Sequence, residues 1–244
     1  MKDNRIRLQP NCAICTTHFN PLFDCFLKFA SIILSMKVLI IGARADGHAK
    51  VVLEILQAMK HQVVGFIDDN LSKKGNKIRG ISVLGTMSEI KTIAKKYKAV
   101  GAMVAIGDNP IRRKLSADIE KSGLKLINAI HPTVHFDSDV KIGTGCYIGQ
   151  GVIVVTGTKI GNCVNIHTGA TIDHDNIIED GANLGPGVHT AGRVKIGRDA
   201  ILGTNVSVIP DGVIEEGATV GAGAVVIRTI KANTKVVGVP AKEI

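Results

Sequence analysis

An aliphatic residue returns at every sixth position from Ile142 to Val226, and the register is broken only by Thr190. Ile148, Val154, Ile160, Ile166, Ile172 and Ile178 continue it, and Leu184, Ile196, Leu202, Val208, Ile214 and Val220 carry it on. Two positions before each stands a small or short-branched residue, with Asn176 the misfit. Glycine often follows, as at Gly143, Gly149, Gly161 and Gly203. A period of six matches neither the 3.6 residues of a helical turn nor the alternation of one long strand. It fits short strands stacked coil upon coil, each turning at a small residue. Three hexapeptides close one triangular coil, so this run predicts about five coils with the aliphatic residues inside.

Aromatic residues make up only 3% of the 244-residue chain, as expected of narrow core sites filled by Val, Ile and Ala. The formal net charge is +9, but the basic residues are scattered and not interleaved with aromatics. That argues against nucleic acid and for a phosphate-bearing small molecule. Cys146 and Cys163 are read as small core residues of the repeat. Cys12 and Cys15 form a CxxC without a second pair or a zinc-spaced histidine pair, so no metal is expected. An odd count of five cysteines, without a disulfide framework, points to a reducing, cytoplasmic setting. No stretch approaches the ~18–20 apolar residues of a membrane span. Residues 1–35 read as an upstream extension or the product of a misassigned start, since Met36 opens the first strand-like run.

From Met36 the chain alternates strand and helix patterns. Val38–Ile41 is a short buried strand, Ala49–Met59 an amphipathic helix, Val63–Ile67 a second strand and Val83–Gly85 an extended segment. Ser88 is expected to cap a helix over Glu89–Tyr97. Val100–Ile106, Ile111–Lys121 and Leu124–Ala129 follow as strand, helix and strand. The pattern predicts a small Rossmann-like α/β domain over 36–130, then a β-helix domain with a C-terminal tail over 131–244.

In open α/β sheets ligands bind beyond the carboxyl ends of the strands. Gly42, Gly47 and His48 lie in the turn after the first strand, and Asp68 and Asp69 end the second. The turn is neither a dinucleotide fingerprint nor a P-loop, but its glycines can let backbone N–H groups approach a phosphate. In the repeat region, His174 stands between Asp173 and Asp175. A carboxylate beside an imidazole orients the ring and raises its basicity, which suits a general base. Gly192 lies one coil further on, where its N–H can face an oxyanion. No serine or cysteine nucleophile stands out, which favours direct transfer.

The hexapeptide run resembles the left-handed β-helix acyltransferases. With Gly47-His48-Ala49-Lys50-Val51-Val52, Phe66-Ile67-Asp68-Asp69, Ile106-Gly107-Asp108-Asn109, Thr171-Ile172-Asp173-His174-Asp175 and Gly238-Val239-Pro240-Ala241-Lys242, the chain from Met36 resembles the sialic acid O-acetyltransferase and UDP-4-amino-sugar N-acetyltransferase group. The resemblance implies a homotrimer with acetyl-CoA between adjacent β-helices. It implies His174 as base, Asp175 as its orienting acid and Gly192 as oxyanion donor. Asn183, His167, Gly238, Pro240 and Lys242 would lie along acetyl-CoA, and Gly42, Gly47, His48, Asp68 and Asp69 around a nucleotide-sugar. Two departures stand out: Arg44-Ala45-Asp46 lengthens the first turn, and His167 and Asn183 replace the residues more usual there. The expected reaction is N-acetylation of a UDP-4-amino sugar. O-acetylation of a sugar hydroxyl, or a non-catalytic nucleotide-sugar scaffold, are the alternatives.

Overall fold

The computed structural model describes residues 35–44 and 47–244. Cys12, Cys15, Cys25 and the expected N-terminal extension lie outside the described residues. The first elements form a six-stranded sheet: β1 (Lys37–Ile41), β2 (Gln62–Ile67), β3 (Lys77–Ile78), β4 (Ile81–Gly85), β5 (Gly101–Val104) and β6 (Lys125–Leu126). Helices α1 (His48–Ala58), α2 (Ile90–Tyr97) and α3 (Asn109–Lys121) connect them. The order is β3-β4-β2-β1-β5-β6, parallel except for the β3–β4 pair. Val38, Leu39 and Ile40 are 0% exposed, the burial of a strand covered on both faces. The chain order reverses between β1 and β5, and a cavity of about 450 Å³ opens at the carboxyl ends there.

Two expectations change. The turn before α2 is closed by Thr86, whose N–H donates to Glu89 Oε2 at 3.0 Å; Ser88 lies inside a short 3₁₀ turn. The strand expected over Leu124–Ala129 splits. Lys125–Leu126 pairs with β5, whereas Ala129–Ile130 already pairs with Tyr147–Ile148 of the repeat region.

From Ala129 onward two-residue strands recur and pair in parallel with the strand eighteen residues away, making three sheets that fold into a left-handed triangular prism. The first face carries Tyr147, Asn165, Asn183 and Ile201 outward; the second carries Ile153, Thr171 and His189; the third carries Lys159, Ile177 and Lys195. The aliphatic register is buried as expected, with Ile148, Ile166, Ile172 and Leu202 all 0% exposed. The prism starts two hexapeptides earlier than the register suggests, since Ile130 and Phe136 pack against the same core. The small residues two places earlier are also inside: Cys146, Val152, Ala170 and Ala182 are 0% exposed. Cys163 is a correction. It sits three places before its aliphatic residue, at a corner with φ 56°, packed against the α/β elements and not inside the prism.

Every sixth residue takes a left-handed backbone at a corner, among them Asp175 (φ 57°), Gly181 (φ 73°) and Asp199 (φ 55°). Gly and Asp tolerate that conformation, which is why they recur there. The α/β elements dock on the first face and the corners at its edges. Arg112 of α3 is 0% exposed and donates to Cys163 O at 2.9 Å and Gly181 O at 2.8 Å. Asn109 donates to Asp199 O at 2.9 Å, and Arg113 pairs with the Asp199 carboxylate.

Candidate active site

His174 occupies the corner between the second and third faces, following Thr171–Ile172 and preceding Ile177–Ile178. Its ring is 40% exposed, outside the prism. Nδ1 lies 2.9 Å from Asp175 Oδ2, so the carboxylate holds the proton on Nδ1 and leaves the Nε2 lone pair free. Asp175 is not drawn away by Arg193, the corner residue one coil above. Arg193 makes a two-pronged pair with Asp211, at 2.7 and 2.9 Å, which lowers the Asp211 pKa by hydrogen bonding.

Gly192 lies against the His174 ring, and a Cβ there would overlap Nε2 and Cε1. This glycine is required by close approach, not by backbone conformation. Its N–H has no acceptor among the described residues. The equivalent amides one and two coils below are capped: Asp173 Oδ1 accepts from His174 N–H at 2.7 Å, and Asp137 Oδ2 from Thr156 N–H at 2.9 Å. The residue before Gly192 is Ala191, which has no oxygen to cap it. A basic nitrogen therefore lies against an uncapped donor, the ring partly exposed and Gly192 buried beneath it, an arrangement suited to proton removal beside a developing oxyanion.

The profile of the PglD N-terminal domain family matches residues 37–119. A solved structure of PerB from Caulobacter crescentus, in complex with CoA and GDP-perosamine, shares 36% identity with a TM-score of 0.79, covering 85% of this chain and 97% of that one. The chain is a hexapeptide-repeat sugar acetyltransferase by family. The acetyltransferase domain of PglB from Neisseria gonorrhoeae, solved with acetyl coenzyme A, is 29% identical with a TM-score of 0.77, covering 86% of this chain and 100% of that domain. A GDP-perosamine N-acetyltransferase of Escherichia coli O157:H7 is 34% identical over 111 residues, which is 45% of this chain and 48% of that protein. The chain spans less than half the length of the curated relatives it matches.

In this chain His167, His174 and His189, all within twenty-three residues, are spread in space. His189 lies on the second face, its Nδ1 2.7 Å from Thr171 Oγ1. His167 lies at the corner between the first and second faces, with Nε2 3.2 Å from Asn183 Oδ1. His48, the first residue of α1, meets that corner from the α/β side. Its ring centroid is 4.4 Å from Tyr147 and 5.5 Å from His167. Burial pushes the His48 pKa down to about 3, helped by His167 and Arg112, and burial lowers His167 likewise. Both rings are thus neutral near pH 7, and His48 Nε2 is buried without a partner among the described residues. Tyr147 was missed from the sequence, although an outward aromatic in a chain with two tyrosines was a signal.

Gly42 turns the chain after β1 with φ 99°, and a Cβ there would meet Ile106 Cγ1. Gly47 precedes α1 and donates its N–H to Arg44 O at 3.3 Å. Asp68 is occupied by the protein: Oδ2 accepts from Ala43 N–H at 2.8 Å and Lys73 Nζ at 2.7 Å, and Oδ1 from Asn70 N–H at 3.0 Å. Despite the opposing effect of burial, these bonds lower its pKa. Asp69 Oδ1 accepts from Met87 N–H at 2.8 Å. Gly42, Asp68 and Asp69 all line the cavity beyond β1 and β5, beside Lys114 and Asp118. The tail forms a hairpin between the strands Lys235–Val237 and Lys242–Glu243, with Gly238 and Pro240 in the turn. Ala241 closes the last coil through its N–H to Val225 O at 2.8 Å. Among the described residues no cluster suits a metal ion, and no helix is long and apolar enough to cross a membrane.

Proposed function

We propose that this chain transfers the acetyl group of acetyl-CoA to an amino group on a nucleotide-linked sugar. The observation that carries the reading is the meeting of His174 Nε2, on a partly exposed ring, with the uncapped amide of Gly192 buried beneath it. The amine nitrogen attacks the thioester carbonyl. His174 Nε2 takes the proton the nitrogen loses, while Asp175 stabilises the imidazolium and Gly192 N–H the oxyanion. As the tetrahedral intermediate collapses, the C–S bond breaks and the CoA thiolate leaves, to be protonated from His174. The relatives solved with CoA or acetyl coenzyme A support the donor, and the one holding GDP-perosamine supports a nucleotide-sugar acceptor.

The topology also bears on assembly. The α/β elements sit on the first prism face, whereas His174 sits on the opposite corner, between the second and third faces. One chain's nucleotide cavity and its own base are thus on different sides of the prism. A site uniting both needs a second copy, as in the homotrimer expected from the sequence, with His174 of one copy facing His167, Asn183 and the ring cluster of the next. The Gly238–Lys242 hairpin would meet the CoA along the same groove. Localisation in the cytoplasm fits these soluble precursors.

The test is CoA release from acetyl-CoA with UDP- and GDP-linked 4-amino sugars, and with sialic acid to probe O-transfer. An amide product and a His174→Ala rate lower by roughly 10²–10⁴ are expected. Nucleotide-sugar binding without turnover, an ester product, or an unchanged His174→Ala rate would each overturn the reading. Sedimentation should show a multiple of the 25.8 kDa chain, and a fully active monomer would refute the two-copy site.

A further inference from the structure

The prism interior is apolar except behind the His174 corner. Its buried polar side chains at inward positions are Thr158, Asn176 and Thr190. Two of these are the irregularities of the repeat. Asn176 follows His174 by two residues and Thr190 precedes Gly192 by two. Along the interior column at this corner the residues run Val140, Thr158, Asn176, Val194 and Gly212, one per coil. Valine is therefore the filler on either side of the polar pair.

Asn176 is 0% exposed. Its Nδ2 donates to three carbonyls: Asp173 O at 2.7 Å, His174 O at 3.1 Å and Ala191 O at 2.9 Å. The first two belong to the turn that carries the imidazole; the third precedes Gly192. Thr158 Oγ1 supports the same turn from the coil below, donating to Asp173 O at 3.0 Å and accepting from Asn176 N–H at 3.3 Å. The arrangement has a cost, since Asn176 Oδ1 is buried without a partner among the described residues. An unpartnered buried carbonyl destabilises, so the fold bears a cost for the bonds this amide makes to the two turns.

We infer that Asn176, seconded by Thr158, is a positioning residue that locks the His174 turn to the Ala191–Gly192 turn and so fixes the distance between base and oxyanion donor. This rests on the roles proposed above for His174 and Gly192. Neither side chain touches the reacting atoms, and both act through backbone carbonyls. Misplacement of reacting groups by about 1 Å can lower a rate by about 10².

The test replaces the pair by the filler of its own column, Thr158→Val with Asn176→Val, in the full-length chain. A purely structural role predicts lost stability with kcat of the folded protein unchanged. The two valines leave Asp173 O and Ala191 O without their donors and cost some stability on either reading, so the inference predicts a kinetic difference: assayed well below the melting temperature, KM for acetyl-CoA stays within about twofold and kcat falls by roughly tenfold or more. The single variant Asn176→Thr keeps a donor toward Ala191 O, as Thr158 keeps one toward Asp173 O, and should recover part of kcat. Amide exchange over 173–175 and 191–193 is read in parallel and needs no substrate; it should quicken by roughly tenfold in the double valine variant while the rest of the prism is unchanged. Should wild type fail to acetylate any amino sugar, the functional reading falls and exchange alone decides. Unaltered exchange in these two turns, or an unaltered kcat in an active enzyme, overturns the positioning role.

Discussion

Two corners of the same prism are built from the same backbone and do opposite things. One stack, at the edge between the third and first faces, carries Cys163, Gly181 and Asp199; the other, between the second and third, carries Gly157, Asp175, Arg193 and Asp211. Every one of these residues has a left-handed φ, between 55° and 73°. The first stack is sealed by α3, whose Arg112, Arg113 and Asn109 take its carbonyls and its carboxylate. The second is open, and its charged groups pair among themselves beside an exposed imidazole. The repeat supplies a shelf of turned-out carbonyls and amides every eighteen residues. What stands on the shelf makes it a joint or a reaction surface.

The sharpest way to break the comparison is to damage the joint. Arg112 donates to four carbonyls and to Asn109 Oδ1, and no carboxylate accepts from it among the described residues. Burial brings its pKa down to about 10, so it remains charged near neutral pH. Arg112→Met strips a donor from each of those carbonyls. Unfolding in denaturant should show a loss of about 3 kcal/mol or more, the scale of several unmet buried groups. His174→Ala on the open corner should stay within about 0.5 kcal/mol of wild type while losing turnover. Equal stability losses at both corners would erase the distinction.

The open corner is probed more finely at Ala191. An aspartate there would sit toward Gly192 N–H as Asp173 sits toward His174 N–H. Ala191→Asp should therefore lower kcat by roughly 10²–10³, the loss expected when one oxyanion donor is withdrawn. The melting temperature should hardly move. An unchanged kcat would show that the uncapped amide takes no part in the chemistry.

These residues were unequally legible in the sequence. A six-residue period is set by the pitch of the coils, so the aliphatic register read the prism interior directly. The partnership of His174 and Asp175 was local and visible. Arg112 was hidden because α3 buries Asn109, Arg112, Ser116 and Ile119, a stripe whose polar members read as a solvent face. It became buried only because distant corners present carbonyls to it. The uncapped amide at Gly192 was equally silent, since the signal is an oxygen missing from Ala191. His167, His174 and His189 stand close in sequence but not in space. Five or six residues along this chain lead to a different face, so neighbours in sequence part company in space. Ala129 read as the end of an α/β strand because an apolar residue suits either sheet, and the pairing of Ala129–Ile130 with Tyr147–Ile148 decided the matter.

The gentlest probe of the joint is acid. His48 is held near a pKa of about 3 in the folded chain against 6.5 when free, chiefly by burial. Between those values the unfolded chain binds a proton that the folded chain refuses. Stability from this group is thus fully present above pH 6.5 and is lost as pH falls below it, by up to about 1.4 kcal/mol per unit. His167 and His61 are lowered too and bend the curve in the same sense, so wild type alone cannot assign the slope. The difference between wild type and His48→Asn isolates it: asparagine fills part of the space and does not titrate. Unfolding curves at pH 7.5, 6.5 and 5.5 should converge for the two proteins as pH falls, since only wild type must then leave an imidazole uncharged against Tyr147. Parallel curves would mean that water reaches His48 readily, and the first face would be a looser joint than its hydrogen bonds imply.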